Sequence, residues 1–448
     1  MEAALQLILA LLLVSFSMVV IMFACDAFEP AADYLGTTVY KMGPGIRGAS
    51  IEAIASSLPE LFTTMFLLFV FHDEDGFAAG VATCAGSAIF NGAVIPALCI
   101  LAVTTKGVKR EGETEREVVE EIRLQRKTLV RDSGFFLLAE ILLIAFLNGT
   151  KLTWWMGLIL MLTYVVYVIV LLTSAGAEEE DEEESDGSHS FANNPMDDQP
   201  EDGTDGKGDE KTEGDDDDEP SSALVSCVTF DFNALIYAGK DYESAGQAWT
   251  VLLLATATIA LACYALAEAV MLSAQALDVP PYFTAVILGA AASSVPDTFL
   301  SYKDALKGDY DDAVANAIGS NIFDICFALG FPLFLYGLIY GDVVMNALET
   351  GTGGGTEGAM TGGQDVSEIQ SLRVLLIIAI GCMLAIFFIT GTTKDKYGNT
   401  LHVLTQWRAL ALIALYLAWT VIIVIHAMNG FLHDVSASLL GDGNAGSA

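Results

Sequence analysis

Basic residues are scarce in this chain. Its 448 residues include 20 lysines and arginines against 57 aspartates and glutamates, a formal net charge of -37. This balance excludes nucleic acid as a main partner, because binding to phosphates needs a basic surface. Charged residues of either sign make up only 17% of the chain, below the roughly 25% of ordinary soluble domains. With 53% hydrophobic residues and a mean hydropathy of +0.52, the composition also excludes a single soluble globule.

The sequence also lacks the motifs of several catalytic and metal-binding classes. Its seven cysteines show no CxxC spacing, so we interpret them as small buried hydrophobic residues rather than as a disulfide framework or a zinc site. It contains no nucleotide-binding P-loop and no recognisable nucleophile–base pair. We therefore expect neither an enzyme nor coupling to ATP, and no bound cofactor.

Long apolar runs are abundant instead. A run of about 20 apolar residues is long enough to cross the hydrocarbon core of a bilayer. The sequence predicts an all-α polytopic membrane protein with about ten transmembrane helices. They fall at roughly 5–25, 48–71, 77–103, 133–148, 154–173, 248–272, 282–303, 311–337, 372–391 and 408–428.

The distribution of lysine and arginine predicts the orientation. If the N-terminus lies outside, 18 of the 20 basic residues fall on the cytoplasmic side, and only Lys151 and Arg373 fall on the other. Cytoplasmic loops are enriched in Lys and Arg, so both termini are predicted to be non-cytoplasmic. The membrane, whether plasma or organellar, is left open.

A low-complexity acidic stretch separates two groups of five helices. Residues 176–220 contain 21 acids against two lysines, and such a segment cannot bury enough apolar surface to fold. We expect it to be disordered, serving either as a plain linker or as a weak Ca²⁺-binding regulatory loop. The predicted organisation is a first membrane repeat at 1–175, an acidic cytoplasmic loop at 176–247, a second repeat at 248–430 and a short polar tail at 431–448.

A pair of motifs occurs once in each half. Ser56–Glu60 and Ser293–Asp297 share the pattern S-S-x-P-[E/D], and Gly86–Asn91 and Gly319–Asp324 share G-S-x-I-F-[N/D]. The copies lie 237 and 233 residues apart. Because the second and seventh predicted helices cross the membrane in opposite directions, the halves are predicted to be inverted five-helix repeats, an arrangement typical of secondary transporters.

The motif side chains predict a cation site near the middle of the membrane. Residues three or four apart share one helix face, and prolines inside a helix free carbonyl oxygens in the preceding turn. Carboxylates, hydroxyls, an amide and carbonyls form an all-oxygen set that suits hard cations such as Ca²⁺ and Na⁺. The candidate ligands are Glu60, Asp297, Asp324, Asn91, Ser56, Ser57, Ser87, Ser293, Ser294 and Ser320.

At these motifs the sequence resembles the calcium/cation antiporter superfamily, most closely its potassium-dependent sodium/calcium exchangers. Cys25–Pro30 is similar to the segment after that family's first core helix. The resemblance implies that Glu60 and Asp297 are central Ca²⁺ ligands shared with Na⁺, that the serines complete the Na⁺ sites, and that Asn91 and Asp324 face each other. In potassium-dependent members an aspartate at the position of Asp324 is associated with K⁺ transport, but some K⁺-independent relatives also have it.

The expected function is therefore exchange of Na⁺ for Ca²⁺, with co-transport of K⁺ left open. A proton-coupled or other divalent-cation exchanger is the nearest alternative. A cation channel and a non-transporting membrane scaffold that buffers Ca²⁺ on its acidic loop are alternatives from other classes. The expected partners are these ions and the lipid bilayer; the sequence indicates no particular protein partner.

Overall fold

The structure is a computed structural model that describes residues 2–41, 53–71, 74–109, 115–147, 149, 151–189, 223–240, 242–344, 362–389, 391–394 and 400–440. Helices dominate it, as the apolar composition requires. In a bilayer core the backbone has no water to bind, and a helix satisfies its N–H and C=O groups within one segment.

The first half contains six helices in the described ranges. The first, α1, ends in a π-helical turn at Leu35–Val39, and a second π-helical turn at Phe90–Val94 joins α3 to α4. The helices are α1 Glu2–Tyr34, α2 Ala53–Phe69, α3 Glu74–Ile89, α4 Ile95–Lys106, α5 Arg126–Leu147 and α6 Trp154–His189.

The second half begins with two short helices, α7 Ala223–Val228 and α8 Phe232–Tyr237. Further π-helical turns lie at Ala285–Gly289 and Asp324–Leu329. The remaining helices are α9 Ala245–Leu277, α10 Pro281–Thr284, α11 Ala290–Ser293, α12 Val295–Lys307, α13 Tyr310–Phe323, α14 Gly330–Ile339, α15 Gly362–Phe388 and α16 Gln406–Leu440.

The helices coincide with the predicted membrane segments. Each of the ten predicted runs falls on one helix or on consecutive helices as far as the structure describes it, and residues 48–52, 148 and 390 lie outside the described residues. By length and composition, six helical stretches of the described chain can cross a bilayer, and the pair Pro281–Ser293 and Val295–Lys307, bent by 41°, is a seventh candidate. Ala55–Phe69 and Leu375–Phe388 are shorter apolar helices. A polytopic helical membrane protein is confirmed, and ten crossings stay a prediction.

Two of the predicted segment boundaries differ from those in the structure. Helix α6 continues to His189, past the predicted start of the acidic loop, and α16 continues to Leu440, into the predicted polar tail. Glutamate has a high helix propensity, so the run that begins at Glu178 can extend a helix. Residues 190–222 and 441–448 lie outside the described residues, so disorder of the loop stays a prediction.

Short antiparallel strands connect the two halves. In a three-stranded sheet β1 Glu121–Gln125 pairs with β5 Thr400–Thr405, which also pairs with β4 Thr392–Lys394. In a separate sheet β2 Lys151–Leu152 pairs with β3 Val343–Val344, with Lys151 opposite Val344. These strands lie between helices, so they link the connecting segments of one half to those of the other.

The core lies where helices of both halves meet. Helices α1 and α9 pack along each other, and α3 packs against α2, α10, α11 and the π-helical turn at Ala285–Gly289. Small side chains line α3, since Ala79, Ala82 and Ala88 are fully buried. Small residues let membrane helices approach closely, and this approach brings the motif helices α2, α3, α12 and α13 together.

Gly86 tests this close packing. A Cβ atom at Gly86 would overlap the carbonyl oxygen of Val286 and would lie 2.6 Å from Cβ of Ala290. We expect Gly86→Ala to destabilise the protein by about 1–3 kcal/mol, because the backbone must move to make room. The measurement is the melting temperature of the purified protein in detergent.

Gly381→Ala is the matched control. Gly381 also lies inside a helix, but a Cβ atom there has nothing within 4 Å. Alanine favours the helix by about 0.5–1 kcal/mol over glycine, so this variant should melt at the same temperature as wild type or higher. Equal melting temperatures for both variants would contradict the packing at Gly86.

Candidate cation site

The four motif helices bring the candidate ligands into one cluster. Helix α2 carries Ser56, Ser57 and Glu60; α3 carries Ser87, with Asn91 in the following π-helical turn. Their counterparts lie on α11 to α13 and in the turn that begins at Asp324. Ser56 is 4% exposed and the other nine side chains are 0% exposed.

Asp297 accepts hydrogen bonds from both halves of the chain. The amide Nδ2 of Asn91 donates to Oδ2 at 3.1 Å, and the hydroxyl of Ser320 donates to Oδ1 at 2.8 Å. The Ser56 hydroxyl also bonds to this carboxylate. Hydrogen bonds of this kind offset part of the cost of burying a charge, so the position of Asp297 depends on helices α2, α3 and α13 together.

Ser87 and Ser294 join the other two carboxylates. The Ser87 hydroxyl donates to Oδ2 of Asp324 at 2.6 Å and lies 3.0 Å from the hydroxyl of Ser294. Ser294 in turn donates to Oε1 of Glu60 at 3.3 Å, and Ser293 also bonds to Glu60. A chain of contacts therefore runs from Asp324 to Glu60 across the boundary between the halves.

Asn91 and Asp324 meet through a shared neighbour. Asn91 Nδ2 donates to the Ser87 hydroxyl at 3.2 Å, and that hydroxyl is the donor to Asp324. We expected the Asn91 amide and the Asp324 carboxylate to face each other. In this conformation they are linked through the Ser87 hydroxyl.

Three carboxylates in one buried cluster repel each other. Glu60, Asp297 and Asp324 are near enough for their charges to interact. Even so, no group of three or more His, Cys, Asp or Glu side chains within the described ranges has the proximity of a resident metal centre. The oxygen atoms available as cation ligands belong mainly to hydroxyls and an amide, which lie between the carboxylates.

Several oxygens of the cluster have no donor. Among the described residues nothing donates to Glu60 Oε2, Asn91 Oδ1 or Asp324 Oδ1, and the Ser57 hydroxyl has no hydrogen-bond partner. A buried polar atom without a partner typically costs about 1–3 kcal/mol. Four such atoms on facing helices form a set of oxygens that a cation can satisfy.

The two prolines act differently. At Ser294, just before Pro296, the helix breaks and α11 and α12 bend by 41°. Pro59, by contrast, lies inside the continuous helix α2. Both prolines lack a backbone N–H, as expected, but the helix breaks only in the second of the two motifs. A proline removes one backbone hydrogen bond, and the turns that precede Pro59 remain helical without it.

Sequence reasoning missed two amides that support the cluster. Asn316 donates to the backbone carbonyl of Asp297 at 3.4 Å and to the Ser301 hydroxyl at 3.0 Å, and Asn321 donates to the carbonyl of Ala88 at 3.1 Å. Both lie on α13. Asn321 lies inside the Gly319–Asp324 motif and Asn316 three residues before it. An amide inside an apolar helix needs a partner, and this was the available signal.

The sequence profile of one family matches most of the chain. The family described as sodium/calcium exchanger protein matches residues 9–173 and 247–425, well over half of the chain. The two matched ranges correspond to the two halves that carry the motifs and leave out the acidic stretch.

Curated relatives match a shorter region. Sodium/potassium/calcium exchanger 4 of Mus musculus is 34% identical over 140 residues, 31% of this chain and 19% of that protein. Sodium/potassium/calcium exchanger 3 of Homo sapiens is 33% identical over 140 residues, with the same shares. The chain thus spans about a fifth of the length of these relatives.

One solved exchanger shares the fold. The structure of the H⁺/Ca²⁺ exchanger CAX superposes with a TM-score of 0.54 at 11% identity, covering 94% of this chain and 86% of that one. The sodium–calcium exchanger NCX_Mj gives a TM-score of 0.44 at 14% identity, covering 92% and 97%. Together with the profile match across both halves, the buried motif cluster leads to one conclusion: this chain belongs to the sodium/calcium exchanger protein family.

Proposed function

We propose that this protein is a secondary active antiporter that exchanges Na⁺ for Ca²⁺ by alternating access at the cluster around Glu60 and Asp297, with K⁺ as a co-transported ion. The observation that carries the proposal is the set of four buried oxygens without donors, on Ser57, Glu60, Asn91 and Asp324. Oxygen ligands of this kind suit Ca²⁺ and Na⁺. The chemistry is binding and release of ions, with no catalytic residue and no cofactor.

The charge of the cluster supports strict exchange. With Glu60, Asp297 and Asp324 ionised, the site holds a charge of -3. One Ca²⁺ with one K⁺ neutralises it, and so do three Na⁺. Because an ionised group in the membrane interior costs several kcal/mol, a site without cations is disfavoured, and the two sets of ions compete for the same ligands.

Two correspondences support inverted repeats as the frame for alternating access. Each of the motifs that end in Asn91 and Asp324 runs into a π-helical turn, and this turn contains the last residue of the motif. The pairing of β1 with β5 also has a counterpart in the pairing of β3 with β2, with the roles of the halves exchanged. Sites between such repeats are exposed in turn to the two sides by rocking of one part against the other.

Ion uptake by reconstituted vesicles tests the exchange. In Na⁺-loaded proteoliposomes, external Ca²⁺ should enter only while Na⁺ can leave, because the two ions share ligands. Glu60→Gln and Asp297→Asn should reduce uptake to the level of protein-free vesicles, since each removes a central carboxylate. Glu268→Gln is the control, a half-buried carboxylate of α9 that takes no part in the cluster.

The other outcomes identify other functions. Uptake that follows a proton gradient and ignores Na⁺ would make the protein a proton-coupled exchanger. Uptake without any opposing gradient would indicate a channel, and no uptake under either gradient would leave the scaffold. Uptake at the wild-type rate in both carboxylate variants would contradict the site.

Potassium dependence has its own prediction. We expect external K⁺ to accelerate Ca²⁺ uptake by wild type, and Asp324→Asn to abolish this acceleration while Na⁺-driven uptake continues. The reason is that the variant changes the net charge of the cluster from -3 to -2. Ca²⁺ alone neutralises a charge of -2. Equal wild-type rates in K⁺ and in a large impermeant cation would contradict K⁺ co-transport.

Variants of Ser57 and Ser87 distinguish an effect on ion binding from an effect on folding stability. The Ser57 hydroxyl has no protein partner among the described residues, whereas Ser87 donates to Asp324. Ser87→Ala should lower the ion-free stability by about 1–3 kcal/mol, because it leaves a buried acceptor without its donor. Ser57→Ala should leave the ion-free melting temperature unchanged or raise it, because the variant removes a buried hydroxyl that has no partner. It should also reduce the rise produced by Ca²⁺, since ligand stabilisation depends on affinity. A similar ion-free loss in both variants would contradict a ligand role for Ser57.

A further inference from the structure

A cavity lies beside the cluster, between α1, α2 and α12. Its volume is about 30 Å³, enough for about two water molecules at about 10–15 Å³ each. Most of its wall is apolar. Among its polar residues Ser56 is buried, whereas the side chains of Asp26 and Lys303 are exposed, which distinguishes an inner end from an outer end. The described lining residues are Met22, Cys25, Asp26, Glu29, Ala55, Ser56, Pro296, Phe299, Leu300 and Lys303.

The inner end of the cavity reaches the cluster. Ser56 lines the cavity, and its hydroxyl bonds to the carboxylate of Asp297. Pro296, the residue next to Asp297, also lines it. A cation in this cavity is therefore one hydroxyl away from a central carboxylate of the proposed transport site.

The outer end carries two acids and one base. Lys303 Nζ lies 2.9 Å from Oδ1 of Asp26, and the two side chains are 41% and 44% exposed. The same ammonium lies 4.3 Å from the centre of the Phe299 ring, a distance at which a cation is attracted to an aromatic face. Glu29, on the same helix as Asp26, completes the mouth. One turn further along α12, Lys307 is paired with Asp304 at 3.4 Å.

We infer that this cavity is a vestibule through which ions reach the site from one face, and that Lys303 determines its preference between monovalent and divalent cations. The inference rests on the proposed function. The ammonium of Lys303 is a tethered monovalent cation at the mouth, where it reduces the charge of Asp26 and Glu29 from -2 to -1. Any ion that enters competes with it for Asp26.

Valence gives the inference a quantitative signature. The work of bringing an ion into a potential is proportional to its charge. If removal of the Lys303 charge raises the local concentration of Na⁺ about threefold, it raises that of Ca²⁺ about ninefold, the square of the first factor. A change of shape at the mouth has no reason to follow this square relation.

The experiment uses the full chain in proteoliposomes that are sorted for one orientation with an affinity tag on the C-terminus. Initial rates of Ca²⁺ uptake against external Ca²⁺, and of Ca²⁺ release against external Na⁺, give an apparent KM for each ion on each face. We expect Lys303→Gln to lower the KM for Ca²⁺ by about the square of its effect on Na⁺, on one face only. Lys303→Arg should behave like wild type, and Asp26→Asn should raise both values.

Lys307→Gln is the matched control, because it removes an equal charge from the same helix at a residue outside the described cavity lining. The charge of Lys307 acts on Glu29 more weakly than that of Lys303, so we expect smaller changes in both KM values. Raising the salt concentration should shrink the effect of Lys303→Gln, since exposed charges are screened over about 8 Å at 0.15 M. Each variant is first checked for wild-type melting temperature.

The outcomes separate the inference from the proposed function. Absence of Na⁺-driven Ca²⁺ uptake in wild type would overturn both. If the wild type exchanges ions but Lys303→Gln and Lys307→Gln have the same KM values as each other, the vestibule alone is overturned. Equal factors for Na⁺ and Ca²⁺, or equal effects on both faces, would overturn the role of Lys303 in valence preference.

Discussion

The cost of burying charge in a membrane is the constraint on which this structure depends. Glu60, Asp297 and Asp324 are fully removed from solvent in a chain built to sit in lipid. An ionised group at such depth costs several kcal/mol unless polar partners or cations surround it. Here the hydroxyls and amides that approach each carboxylate come partly from the other half of the chain. The cluster therefore exists only when the two halves are docked, and its remaining oxygens favour cations.

Docking at this distance depends on small side chains. The Ser87 and Ser294 hydroxyls come within 3.0 Å because α3 lies almost in contact with the backbone near Val286 and Ala290. The π-helical turns at Phe90–Val94 and Asp324–Leu329 contribute in another way. Such turns insert an extra residue into the helix and occur frequently at functional sites. They rotate the following residues relative to the preceding helix, so that Asn91 and Asp324 lie at the junction.

The two halves are alike without being equal. Helix α2 passes through Pro59 unbroken, whereas the second half is bent at Ser294. The cavity that reaches the cluster lies on the side of this bend, against Pro296 and Phe299. Asn91 and Asp324 add an asymmetry of charge at equivalent positions. The described conformation is therefore asymmetric both in the bend of its motif helices and in the charge at these two positions.

The helical membrane architecture and the members of the candidate site are predictable from local sequence. Apolar run length predicts membrane helices because backbone groups must be satisfied internally in lipid, and the duplicated motifs identify Glu60, Asp297 and Asp324 through their rarity in such runs. Helix packing settles which hydroxyl meets which carboxylate and places Ser87 between Asn91 and Asp324. It also leaves the helix unbroken at Pro59, whereas the second half breaks before Pro296. It also brought Asp26 against Lys303, 277 residues away. These contacts depend on how closely and at what angle distant helices pack, and packing involves the shapes of both partners, which no local pattern contains.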